Sequence, residues 1–213
     1  MALFEKPPVK LLTAVLAVLW ITMAAAGAGA ADRLAEQLDA GGRVLMIRHA
    51  LAPGGGDPPG FRIDDCGTQR NLSDPGREQA RNIGRWLRDR GIDSARVYSS
   101  QWCRCLETAE LIDLGPVVEL PALNSFFQRP QDREPNLSAL RAFLADQPPD
   151  GGLIVLVTHY VTVSGIAGVG VGSGEGVVLQ LDGNGGYDVV GRMGFGSGSQ
   201  SLQKLKYPSA QKK

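Results

Sequence analysis

The chain has 213 residues, 43% of them hydrophobic, which suffices for one full core and does not demand a second domain. Lysine plus arginine and aspartate plus glutamate each number 22, so no basic excess points to nucleic acid and no charge run points to a solvating tail. A partner has to be argued from local residues.

Residues 1–30 differ from the rest. Lys6 and Lys10 precede an apolar run over residues 11–26, followed by Gly27-Ala28-Gly29-Ala30-Ala31. This is the layout of a secretory signal peptide with Ala28 and Ala30 at the small-residue cleavage positions, and it implies a secreted or periplasmic protein. The alternative is an uncleaved anchor over residues 11–31, just long enough to span a bilayer. After cleavage no stable membrane insertion is expected, and 20 basic and 21 acidic residues remain.

Residues 32–38 read as a short helix that ends at Gly41-Gly42. Val44-Leu45-Met46-Ile47 then fits a buried strand that runs into Arg48 and His49, setting a guanidinium and an imidazole at a strand's C-terminal end. The following residues 51–60, rich in glycine and proline, are a surface loop beside that end. Ser73 is the expected N-cap of a helix with Pro75 in its first turn, an apolar stripe of Ala80, Ile83, Trp86 and Leu87, and a stop at Gly91. Arg77, Arg81, Arg85, Arg88 and Arg90 read as its solvated face. Arg96-Val97-Tyr98-Ser99 is a short strand, and Ser100 leads into a helix whose first turn carries Arg104.

Residues 117–120 are weakly strand-like, residues 124–134 are irregular, and Leu137, Leu140, Phe143 and Leu144 mark a helix that Pro148-Pro149 ends. Residues 153–158 form a strand closing on His159, the second of two histidines in the chain. Residues 161–172 make a poor helix on propensity, being rich in β-branched residues and glycine. Residues 175–181 and 187–193 read as a hairpin, and residues 195–213 as a flexible tail. Strands and helices alternate, so residues 31–194 are expected to form a single three-layer α/β domain. Its mostly parallel central sheet has helices on both faces and a C-terminal β-hairpin.

All three cysteines, Cys66, Cys103 and Cys105, lie in the part that would be exported. Cys103 and Cys105 at the start of a helix point apart, which leaves Cys66 to bond either one of them; three unpaired core residues are the other reading.

A parallel sheet could gather Arg48, His49, Arg104 and His159 at one edge, a set suited to a tetrahedral dianion. The motifs Leu45-Met46-Ile47-Arg48-His49-Ala50, Asn71-Leu72-Ser73-Asp74-Pro75-Gly76-Arg77-Glu78-Gln79-Ala80, Ser99-Ser100-Gln101-Trp102-Cys103-Arg104-Cys105-Leu106-Glu107-Thr108-Ala109 and Val155-Leu156-Val157-Thr158-His159 occur in that order. In this the chain resembles the histidine phosphatase superfamily, the phosphoglycerate mutase-like proteins, as an exported bacterial-type member.

The resemblance implies a phosphomonoester hydrolase in which His49 attacks phosphorus and Arg48, Arg104 and His159 hold the phosphoryl oxygens. It implies no cofactor and no metal, and a small phosphorylated substrate rather than nucleic acid. Within the family the alternatives are a phosphohistidine phosphatase and a mutase-like phosphotransferase; outside enzymes, it is a phosphate-binding envelope protein without turnover. Two departures stand out. Ala50 replaces the usual glycine, and no glutamate stands where the family often keeps its acid, leaving Glu119, Asp132, Glu134 and Asp57 as candidates. The loop at residues 51–60 and the Phe126-Phe127 pair are expected to line the pocket.

Overall fold

The computed structural model describes residues 37–196. The leader and anchor readings of the N-terminus, and the tail from residue 197 on, lie outside the described residues. Of the helix expected over residues 32–38, Gln37 and Leu38 are described and both are helical. No helix among the described residues is long and apolar enough to cross a membrane.

Ten elements follow: β1 (Arg43–Arg48), α1 (Asp74–Arg88), β2 (Arg96–Ser99), α2 (Cys103–Ile112), β3 (Val117–Glu119), α3 (Arg133–Ala145), β4 (Ile154–Thr158), α4 (Tyr160–Ala167), β5 (Gly176–Leu181) and β6 (Tyr187–Met193). They build one mixed sheet in the order β3-β2-β4-β1-β5-β6. The first four of these run parallel, and β5 and β6 return antiparallel as the C-terminal hairpin. Side chains alternate across a strand, so β1 feeds both faces. Leu45 and Ile47 pack with Ile83 and Leu87 of α1 and Cys105, Ala109 and Ile112 of α2. Val44 and Met46 pack with Leu137, Leu140 and Leu144 of α3 and Val163 and Ile166 of α4. Each such fully buried aliphatic side chain contributes about 1.5–3 kcal/mol.

Ser73 caps α1 as its sequence position demands, its Oγ accepting the Gly76 N–H at 3.2 Å. The arginines of α1 are occupied locally: Arg77 pairs with Glu107 and Asp74, and Arg81 and Arg85 with Glu78; Arg90, just past the helix end, lies over Trp86. Arg88 reaches further and donates to the Ile112 and Asp113 carbonyls, closing the end of α2.

Helix α4 departs from the propensity reading of residues 161–172. Tertiary burial overrides propensity here: Val163 is fully buried, Ile166 nearly so, and Gly168 at φ 69° ends the helix in the left-handed region. Gly165 faces Leu137 so closely that a β-carbon would sit 2.8 Å from it, which accounts for glycine at that point.

Helices α1 and α2 meet at Gly84, where an added β-carbon would lie 2.0 Å from the Ile112 carbonyl oxygen. Gly84→Ala is expected to push the two helices apart and cost about 1–3 kcal/mol. Urea denaturation should show a lower midpoint with an unchanged slope.

Candidate active site

The sheet register assembles the site. Arg48 pairs across from Thr158, so His49 and His159 leave adjacent parallel strands at the same level, and the His49 N–H donates to the Thr158 carbonyl at 2.8 Å. Ser99 pairs with Val157, which brings Ser100 and the start of α2 alongside. The two imidazole centroids are 5.5 Å apart. Arg48, His49, Arg104 and His159 all line one cavity of about 270 Å³.

His49 is buried, and its Nδ1 lies 2.8 Å from the Ala50 carbonyl oxygen. A carbonyl can only accept, so the ring proton sits on Nδ1 and the lone pair on Nε2. Burial pushes the imidazole down from 6.5 to about 3; the Ala50 carbonyl opposes this, and Arg104, Arg70 and Arg48 add to it. Desolvation thus outweighs the arginines as the cause of neutrality. His159 is held well below its ordinary value, first by burial, then by Arg104 and His49. Its Nε2 is 2.8 Å from Ser100 Oγ, and the Trp102 ring meets it edge-on at 5.2 Å.

Arg104 is no surface residue. Its side chain is 3% exposed, and Glu107, its nominal neighbour, pairs with Arg77 instead. Asp57 takes it in both arms: Oδ1 accepts Arg104 Nη1 at 2.7 Å and the Arg70 N–H at 3.0 Å, and Oδ2 accepts Arg104 Nη2 at 3.1 Å and Trp102 Nε1 at 3.0 Å. Burial alone would raise the Asp57 carboxyl, but Arg104, the Arg70 N–H and the Trp102 indole hold it below its ordinary value. Each oxygen has two donors, so the group is a filled, ionised anchor. It is not poised to give a proton.

The other candidate acids stand outside the cavity. Glu119 is exposed and accepts from Gln101, Glu134 is exposed and pairs with Arg133, and Asp132 precedes α3. Asp57 is the only carboxylate among the described residues that line the cavity.

Two buried donors, Arg48 Nε and Arg104 Nε, have no hydrogen-bond partner among the described residues. A buried donor left without a partner costs free energy, so both guanidinium groups are held in place against that cost by their other bonds. Arg48 is otherwise fixed by its Nη1 bond to the Val171 carbonyl at 3.2 Å.

A third arginine joins them without having been singled out in the sequence. Arg70 lines the cavity, its Nε donating to the Gly56 carbonyl at 2.9 Å and its Nη1 to that of Ala52. Its only sequence cue is that it directly precedes the Asn71-Leu72-Ser73 motif. Ala50 is accommodated: it is fully buried beside Ala52, Leu72 and Ala80, and its N–H donates to Thr108 Oγ1. Of the aromatic pair, Phe127 lines the cavity whereas Phe126 turns into the core.

The open cysteine question resolves as Cys66–Cys103, with Cys105 free, buried and pushed up to about 12 by that burial. The bridge ties the turn before Arg70 to the first residue of α2. Gln69 supports it, accepting the Cys103 N–H at 3.0 Å.

With a separation of 37 residues, replacing both bridging cysteines by serine is expected to cost about 4 kcal/mol in the chain-entropy model. Calorimetric titration should also show weaker binding of inorganic phosphate, because Arg70 and Arg104 lose their common tie. The histidines set a separate pH dependence. Both rings bind protons more readily in the unfolded chain, near 6.5, than in the folded one. Stability is therefore full above 6.5 and is lost as pH falls, by up to about 1.4 kcal/mol per pH unit for each histidine. The urea midpoint should drop between pH 6.5 and about 4.5, less steeply in His49→Gln; a flat profile would contradict two buried neutral rings.

The profile of the histidine phosphatase superfamily (branch 1) matches residues 44–126. No curated protein matches the sequence. Among solved structures, the protein histidine phosphatase SixA complexed with tungstate aligns with a TM-score of 0.52 at 18% identity, over 71% of this chain and 96% of that one. SixA from Agrobacterium tumefaciens gives 0.50 at 21% identity, over 72% and 98%, and mycobacterial hydrolase 1 gives 0.51 at 16%, over 69% and 95%. At these identities the likeness is one of fold. The segment that matches the histidine phosphatase superfamily carries Arg48, His49 and Arg104, and the likeness of fold extends past it over most of this chain.

Proposed function

We propose that the protein is a phosphomonoester hydrolase working through a phosphohistidine on His49. One observation carries the reading: a buried imidazole with its proton fixed on Nδ1 lines, with Nε2 left free of that bond, a cavity that Arg48, Arg70 and Arg104 also line. Nε2 attacks phosphorus as the bond to the leaving oxygen breaks. The positive charge that develops on the ring is stabilised at Nδ1, whose N–H donates to the Ala50 carbonyl. Arg48, Arg70 and Arg104 hold the equatorial oxygens, and His159 adds a further contact. Water then attacks the phosphohistidine, releasing phosphate and restoring neutral His49. Positioning and charge stabilisation are the main demands of phosphoryl transfer, and this set offers both. Export by the leader belongs to the same reading, and the Cys66–Cys103 bridge suits an oxidising compartment.

A second reading, a phosphohistidine phosphatase, is favoured by Asp57 being committed to Arg104. No other carboxylate among the described residues lines the cavity, and a leaving group of low basicity needs protonation least. SixA, which shares the fold, is a protein histidine phosphatase.

Acid-labile, alkali-stable phosphate should be trapped on wild-type protein quenched during turnover of a chromogenic aryl phosphate, and be absent from His49→Ala. Arg104→Gln should lower kcat/KM by about 10- to 100-fold, the worth of one charge-assisted contact. Turnover of phosphohistidine peptides alone would select the second reading, and isomerisation that needs a bisphosphate primer would select a mutase. Absence of both phosphoenzyme and turnover would leave a phosphate-binding envelope protein.

A further inference from the structure

We infer that the cavity mouth is a second recognition site, built from Phe127, Tyr160, Phe61 and Arg129, for a leaving group with a flat apolar face and an anionic substituent. The inference rests on the phosphatase reading and adds to it the chemical class of the substrate.

Four large hydrophobic side chains are exposed among the described residues: Leu51, Val118, Phe127 and Tyr160. Two of them, Phe127 at 65% and Tyr160 at 48%, open onto the cavity that holds His49. Phe127 is not exposed because its segment is loosely held. Phe126 before it is buried in the core, and Gln128 after it clamps the backbone of Asp57, accepting its N–H at 2.7 Å and donating to its carbonyl at 3.1 Å. The Phe127 N–H itself donates to Ser125 Oγ at 3.3 Å. With both neighbours pinned, the ring is presented at the rim. An exposed aromatic ring held this way contributes little to the fold and is available to bury a ligand.

Charge complements the rings. Arg129 lies over the Phe61 ring with its Cζ 5.5 Å from the centroid, and it has no carboxylate partner among the described residues. Across the mouth, Arg48 sits over Tyr160 at 5.7 Å. A guanidinium stacked on a ring keeps its in-plane N–H donors, so Arg129 can take an anion while Phe61 shields one of its faces. Arg104 is already neutralised by Asp57; Arg129 is not. The cavity, about 270 Å³, has room for more than a phosphoryl group and approaches the roughly 300 Å³ at which small organic ligands are held.

Non-hydrolysable phosphonates test this without turnover. Calorimetric titration of the full-length protein with methylphosphonate, phenylphosphonate and (4-carboxyphenyl)phosphonate should give rising affinity in that order, each step about tenfold. Phe127→Ala should narrow the gap between the phenyl and methyl compounds. Arg129→Gln should narrow the gap between the carboxyphenyl and phenyl compounds. Both side chains are exposed, and unfolding midpoints matching wild type would verify that the variants fold. Equal affinities across the series, or gaps unmoved in both variants, would overturn the inference while leaving phosphoenzyme formation as evidence for the hydrolase. Failure of all three phosphonates to bind would overturn both.

Discussion

The site depends on one carboxylate. Arg48, Arg70 and Arg104 gather around two imidazoles that lack charge of their own, and like charges brought together repel. Asp57 is the one carboxylate set among them in the cavity lining of the described residues. Its four accepted hydrogen bonds link a glycine-rich loop, the backbone of Arg70, the indole of Trp102 and the guanidinium of Arg104. Everything beyond it is reinforcement. The Cys66–Cys103 bridge fastens the same loop region to the same helix start, and Gln128 fixes the Asp57 backbone from the opposite wall.

Burial decides the protonation state, and protonation decides the chemistry. A histidine in water near neutrality is a mixture of charged and neutral forms; His49, desolvated and flanked by arginines, is neutral across the whole working range. Its carbonyl partner then selects which nitrogen keeps the proton. The fold carries an opposing cost in the buried Arg48 Nε and Arg104 Nε, which lack hydrogen-bond partners among the described residues.

Much of this was legible in the order of residues. A run of four apolar residues ending in Arg48-His49, and a second ending in His159, required only a parallel pairing to become neighbours, and the β1 to β4 register supplies it. The Ser73 cap and the hairpin strands carry local signatures that survive into the fold. Other features had none. Helix α4 defies its propensities because tertiary packing buries Val163 and Ile166. Arg70 is an arginine in an irregular stretch, and nothing in its neighbours tells that the loop before it folds back. Asp57 reads as a candidate acid until its four donors are seen. Phe126 and Phe127 are identical in type, and only the path of the backbone sends one inward and the other to the rim.

The central claim is that a neutral His49 with its proton on Nδ1 and its lone pair on Nε2 faces an anion site. Nitrogen-15 NMR of the imidazole rings as a function of pH tests this most directly, because the two ring nitrogens report tautomer and charge separately. His49 should remain neutral, with the proton on Nδ1, from neutral pH down through about pH 5. A ring that titrates near its ordinary 6.5, or one that carries its proton on Nε2, would contradict the account.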